Sequence, residues 1–129
     1  MKKNCIFCNS SKVKKTNQIV CSNKLTIAIR DNYPVTKYHT LIIPIRHVST
    51  FFDLKKNEID SCIKILFRQK KELTKLDKKI KGFNVGFNSG KVAGQTINHF
   101  HLHLIPRRKG DQKDPTGGVR GVIPSKQKY

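Results

Sequence analysis

Three histidines stand at alternate positions, His99, His101 and His103, with Phe100, Leu102 and Leu104 interleaved between and after them. No other feature constrains the chain as much. On an extended strand residues two apart share a face, about 6.6 Å from one to the next. The segment His99 to Pro106 is therefore predicted to be a strand, with imidazoles on one side and core residues on the other. A row of imidazoles is costly to bury without partners, so it is expected to line a pocket or hold a metal. A flat strand offers one ion at most two of the three rings, which leaves another free for chemistry. Imidazole suits phosphate chemistry near neutral pH: the neutral ring is a nucleophile and the cation donates to phosphate oxygens.

The rest of the chain reads as the frame for that strand. Ile19–Cys21 and Leu25–Ile29 are short extended runs joined by Ser22-Asn23, a hairpin pattern. Asp31 to Pro34 is a turn, and His39 to Pro44 a strand ended by proline. Apolar residues then recur at three- and four-residue steps (Ile59, Cys62, Ile63, Leu66, Phe67, Leu73), predicting one amphipathic helix from about Leu54 to Asp77. Gly82 is placed to terminate it. Phe83–Phe87 alternates as a strand, Asn88–Gln95 is a glycine-bearing loop, and Arg107 to Tyr129 reads as an extended tail with turns. Asn9 to Gln18 is polar and reads as loop. Five strands and one long helix imply a single α+β domain over residues 1–129, a core of 1–107 on an antiparallel sheet and a tail of 108–129.

With 129 residues and a formal charge of +19, the chain expects something polyanionic nearby, a nucleotide or a nucleic acid. The basic residues are spread rather than gathered in one stripe. No apolar run is long enough to cross a bilayer, and the lysine-bearing start lacks a secretory pattern, so the expected compartment is the cytoplasm and no membrane partner is expected. Of the four cysteines, Cys5 and Cys8 have the Cys-x-x-Cys spacing of half a zinc site. Cys21 and Cys62 fall inside apolar patterns and read as small buried side chains.

The segment Gly94-Gln95-Thr96-Ile97-Asn98-His99-Phe100-His101-Leu102-His103-Leu104-Ile105 resembles the signature of the histidine triad superfamily. His39-Thr40-Leu41-Ile42-Ile43-Pro44 resembles the first active-site strand of that family, and Asn88 with Gly94-Gln95 its phosphate loop. The tail from Asp114 to Pro124 looks like bacterial members described as diadenosine polyphosphate hydrolases. The resemblance implies that His101 attacks the α-phosphorus of a nucleotide to form a nucleotidyl-histidine, which water then hydrolyses. It implies that His103 donates to the phosphate or leaving group, that His99 completes the catalytic row, and that Asn88, Gly94, Gln95 and Thr96 hold phosphate oxygens. Asp31 stands at the ribose position.

Relatives with the N-terminal cysteine pair complete a tetrahedral zinc site with two histidines. Carried over, these are His47 and His99, so the expected cofactor is a structural zinc on Cys5, Cys8, His47 and His99; the competing set puts Cys21 or His39 in place of one histidine. The family is typically homodimeric. It often has glycine where this chain has Tyr38, whose ring would either shape the nucleobase pocket or simply pack. The expected activity is hydrolysis or transfer at the α-phosphate of dinucleoside polyphosphates or nucleoside phosphoramidates. Two alternatives stay open: an enzyme of the DNA-adenylate or RNA-cap hydrolase type, toward which the charge points, and a non-catalytic nucleotide-binding zinc module.

Overall fold

The computed structural model describes residues 4–8 and 19–129; the loop expected over 9–18 lies outside them. Five strands form one antiparallel sheet: β1 (Ile19–Ser22), β2 (Thr26–Arg30), β3 (Thr40–Pro44), β4 (Ile80–Gly86) and β5 (Leu102–Arg108). Their spatial order is β1-β2-β3-β5-β4, so β5 sits inside the sheet and β4 at its edge. One long helix, α1 (Lys56–Leu76), connects β3 to β4. This is the α+β architecture the hydrophobic patterns imply.

Register decides which residues meet. Ile42 pairs with Ala28 on one side and Leu102 on the other, and these pack with Phe100 against Cys62 and Ile65 of α1. One residue along, Leu41 pairs with Ile29 and His103, and His103 pairs with Gly86. The sheet therefore buries one face under the helix and presents His103 on the other. Cys21 and Cys62 both lie in the helix-side core, which removes Cys21 from any set that includes Cys5 and Cys8.

The helix starts where a buried carboxylate closes its first turn. Glu58 accepts the Lys55 N–H at 2.8 Å and a forked pair from Arg46 at 2.9 and 2.7 Å. It ends at Leu76 rather than at Gly82. Asp77 leaves the helix, its Oδ1 accepting the Lys79 N–H and its Oδ2 accepting from Arg108. Gly82 instead lies within β4, opposite Arg107.

Two further expectations are corrected. The ladder of β5 begins at Leu102, so His99 and His101 precede it, although the alternation of faces persists through them. Phe100 is kept in line by a hydrogen bond from its N–H to the Val48 carbonyl (2.7 Å). The tail is folded rather than extended, with short 3-10 turns at Gly118–Val122 and Pro124–Lys126. The Arg120 guanidinium donates to the carbonyls of Gln127 and Lys126, and a Cβ at Gly117 would collide with the Gln127 carbonyl.

Tyr38 takes a left-handed conformation, φ +74°, which costs about 1–3 kcal/mol for a non-glycine residue. Its ring packs on the helix side with Leu73, Ile80 and Leu104, between the cations of Arg30, Lys37 and Arg108. It therefore packs and does not shape the site face.

The Arg46 fork holds the Glu58 carboxyl below its usual range, against the upward push of burial. A depressed carboxylate contributes stability above its unfolded value, near 4.5, and loses it as pH falls through the folded value. Glu58→Gln is expected to cost about 1 kcal/mol at pH 7, discounted for the half-exposed Arg46. Urea unfolding at stepped pH should show the gap closing below pH 4.5; a gap independent of pH would refute the assignment.

Candidate active site

The arm of residues 4–8 comes back to the sheet at His99. The Cys8 thiol lies 3.0 Å from Nδ1 of His47 and 3.4 Å from Nδ1 of His99, and the Cys5 thiol lies 3.4 Å from the same nitrogen of His99. The ligand atoms of all four residues lie within 4.8 Å of one another. The link from Phe100 to Val48 brings His47 and His99 side by side, their ring centroids 5.0 Å apart. His99 is fully buried. Its Nε2–H donates to the Pro44 carbonyl at 2.8 Å, which turns the Nδ1 lone pair toward the sulfurs.

His101 comes next on the chain, half-buried. Its Nδ1 is 2.9 Å from the carbonyl oxygen of His99. A carbonyl only accepts, so Nδ1 carries the proton and Nε2 carries the lone pair. The His101 ring lies 5.2 Å from Phe7 and 5.1 Å from His103, centroid to centroid.

His39 takes part in the site, a role the sequence reading did not give it. The Val35 N–H donates to His39 Nδ1 (3.0 Å), which places the His39 proton on Nε2. That nitrogen lies 2.9 Å from Nδ1 of His103 and 3.5 Å from Asp31 Oδ2. The chain of donors fixes His103 with its own proton on Nε2. The same tautomer denies a metal the trio Asp31, His39 and His103, although their ligand atoms are close, because the shared nitrogen of His39 has no free lone pair. The sequence signal was parity: His39, Leu41 and Ile43 share a face, and Leu41 pairs with His103.

Burial, foremost, and then the charge of His101 and His39 push His103 down to about 4; Asp31 works weakly against them. Burial also lowers His39, opposed by Asp31, and lowers His99, opposed by the Pro44 carbonyl. The site is thus built to keep these rings neutral.

The remaining expected site residues divide. Asn88 lines a groove of about 460 Å³ together with His39 and His103. Gly94 takes φ +100° and lies against the Asn88 amide, so a side chain there would be strained. Gln95 is spent on holding the loop: its Oε1 accepts from Gly90, and its Nε2 donates to Ser49 and Ile97. Thr96 is exposed and lies with Cys5, His47 and Asn98, on the arm side. Asp31 also caps its own turn, accepting the Tyr33 N–H at 2.8 Å.

Three alternate histidines that lead into β5, with a cysteine pair folded onto the first and a glycine loop beside the last, are the arrangement of a histidine-triad site. The family model of the HIT domain matches residues 12–110, and the chain belongs to this family. It is 36% identical over 107 residues to an uncharacterised HIT-like protein of Methanocaldococcus jannaschii, covering 83% of this chain and 81% of that one. It is 36% identical over 110 residues to the AP-4-A phosphorylase of Mycobacterium tuberculosis, covering 82% of this chain and 55% of that protein. The adenosine 5′-monophosphoramidase of Saccharomyces cerevisiae is 33% identical over 104 residues, covering 81% and 63%. Among solved structures, a zinc-bound histidine triad family protein from Mycobacterium smegmatis superposes with a TM-score of 0.77 at 29% identity, covering 86% and 80%. No helix among the described residues is long and apolar enough to cross a membrane.

The His103 assignment is open to direct measurement. Its imidazole resonance should stay neutral on acidification until about pH 4. Because the unfolded ring takes its proton near 6.5, stability is full above that value and falls as pH drops toward 4. An NMR midpoint near 6.5 would show that the ring is not held as described.

Proposed function

We propose that this chain is a nucleotide hydrolase that works through a covalent nucleotidyl-histidine on His101, acting on dinucleoside polyphosphates or nucleoside phosphoramidates. The observation that carries this reading is the orientation of His101. Its Nδ1 proton is held by the His99 carbonyl, leaving Nε2 as a neutral nucleophile between Phe7 and His103. The names of the relatives, one acting on a dinucleoside polyphosphate and one on a nucleoside phosphoramidate, support displacement at a nucleotide phosphorus, with oxygen leaving in the first case and nitrogen in the second.

In the first step the Nε2 lone pair of His101 attacks the α-phosphorus. The N–P bond forms, the bond to the bridging atom breaks, and its electron pair leaves with the departing group. The ring becomes cationic, and the carbonyl of His99 accepts from the proton that remains on Nδ1. His103 offers its Nε2–H to a phosphate oxygen or to the leaving atom, and His39 fixes that proton in place. Asn88 supplies an amide donor at the mouth of the groove. Water, or a phosphate acceptor in a phosphorylase, then attacks the same phosphorus and frees His101. Donors fixed before the reaction are what such a transfer needs most.

We take the metal to be zinc, held by Cys5, Cys8, His47 and His99. Ligands at zinc distances and tetrahedral angles lie roughly 3.5 Å apart, close to the 3.0–3.4 Å separations of the thiols and imidazoles. Four protein ligands close the shell, so the metal supplies structure, tying the arm to the residue whose carbonyl orients His101. A homodimer fits the edge position of β4, where Val85 is exposed. The charge of +19 favours a second reading, a substrate carried on nucleic acid; affinity for plain polynucleotide that falls steeply with salt is its mark.

His101→Asn is expected to lower turnover by on the order of 10⁴-fold or more while nucleotide binding persists. Rapid quench with diadenosine tetraphosphate should trap an acid-labile adduct on the unmodified chain alone, and turnover surviving in the variant would end this reading. Metal analysis should find one zinc per chain. Cys8→Ser should lose it and lower the melting temperature, whereas unchanged metal content would exclude Cys8 as a ligand.

A further inference from the structure

The charge of +19 is spread along the sequence, but the fold gathers part of it. Lys64, Arg68, Lys71 and Lys75 stand at i, i+4, i+7 and i+11 within α1, and all four are exposed. That spacing sets them in one stripe along the helix, about 16 Å from first to last. Lys24, exposed in the β1–β2 turn, extends the stripe: it lines the same cleft as Lys64. Among the described residues no carboxylate pairs with Lys24, Lys64, Lys71 or Lys75. Arg68 has Glu72 at 3.3 Å, an exposed pair of the kind worth little, and the neighbouring Asp60 is matched by Lys56.

The stripe lies on a side of the helix that the histidines do not share. Ser61, one turn before Lys64, is hydrogen-bonded to Asn23 and Thr26, so this flank of α1 faces β1 and β2. Leu66 and Leu73, on the opposite flank, pack toward Ile80 and Phe83 of β4. The free edge of β4 is therefore on the far side of the helix. The sheet itself stands between the stripe and the histidines, since α1 covers one face and His103 is presented on the other. On that second face the arginine at the far end of the groove, Arg107, is already matched by Asp111.

Cations that recur every three or four residues on a helix stand about 5–6 Å apart. They match a partner whose own charges recur at a short, regular interval, and a phosphodiester backbone is such a partner. An anionic lipid surface is a poorer match. A helix that lies on a membrane inserts an apolar face beside its cations, whereas the apolar face of α1 is buried on the sheet through Cys62, Ile65 and Leu73, with Ile63, Phe67 and Leu76 left exposed singly. We propose that the stripe from Lys24 through Lys75 is a docking surface for the sugar-phosphate backbone of a nucleic acid. The polymer is held behind the sheet as an anchor, not presented to His101 as a substrate, and the histidine face stays open to small nucleotides.

The test is titration of a labelled oligonucleotide of mixed sequence, as single strand and as duplex, at stepped salt. About four phosphate contacts give a slope of log affinity against log salt near −3; the two forms share the backbone, and the tighter one identifies the natural partner. Lys71→Ala/Lys75→Ala should weaken binding about tenfold and flatten the slope by about 1.5. Lys109→Ala/Lys113→Ala removes the same charge from the turn after β5 and should cost less than about twofold. Equal losses in the two double variants, or no binding at low salt, would overturn the stripe. Adenosine 5′-monophosphate should bind the free chain and its oligonucleotide complex equally well. Competition between them would put the polymer at the histidines and refute the anchor. Tighter binding to phosphatidylserine-containing vesicles than to either oligonucleotide would overturn the choice of partner.

Discussion

The site depends on one buried imidazole. His99 is fully enclosed, and both of its ring nitrogens and its carbonyl are committed. Nε2–H goes to the Pro44 carbonyl, Nδ1 faces Cys5 and Cys8, and its own carbonyl receives Nδ1–H of His101. Strand β3, the N-terminal arm and His101 are thus joined through a single residue. A ring so placed cannot rotate without leaving a buried donor or acceptor unpaired, and that penalty is what holds the His99 carbonyl, and through it the His101 ring, in place.

Much of this is visible in the order of the amino acids. The alternation from His99 to Leu104 gave the two faces correctly, because parity is local and the apolar residues had to go inward. The pairing of Cys5 and Cys8 with His47 and His99 came from resemblance, and the geometry assembles that set. What local pattern could not supply was register. Nothing in the neighbourhood of His39 says that Leu41 will pair with His103, so the resemblance puts His39 on an active-site strand without giving its ring the contact to His103. Gln95 shows the same gap: a polar side chain in a glycine loop has the chemistry to hold phosphate, yet here Ser49 and Gly90 claim it first. Gly82 looked like a helix stop only because the turn made by Asp77 depends on Arg108, thirty-one residues away. The tail reads as extended in sequence because its order comes from scattered side-chain bonds, Arg120 to two carbonyls, Gln127 to Thr116 and Lys128 to Asp114, a pattern without periodicity.

The electrostatics separate two kinds of charge. Among the described residues the lysines lie in solvent, where they add to the long-range field that the net charge of +19 sets up to draw anions. Around the histidine row the arrangement is different. Burial keeps His39, His99 and His103 uncharged, and the arginine at the far end of the groove is matched by Asp111. Attraction toward the protein is thus general, while the histidine cluster presents oriented neutral dipoles.

The four-residue cluster has a consequence for how the chain acquires its shape. Cys5 and His99 are ninety-four positions apart, among the longest separations bridged in the fold, while the β1–β2 hairpin and the helix close over short distances. Long closures form late, since chain entropy opposes them until the intervening elements have already drawn the ends together. On the ribosome the two thiols emerge first and wait for both imidazoles. The frame of sheet and helix can therefore assemble before the arm docks, and closure of the four-residue cluster falls late in folding.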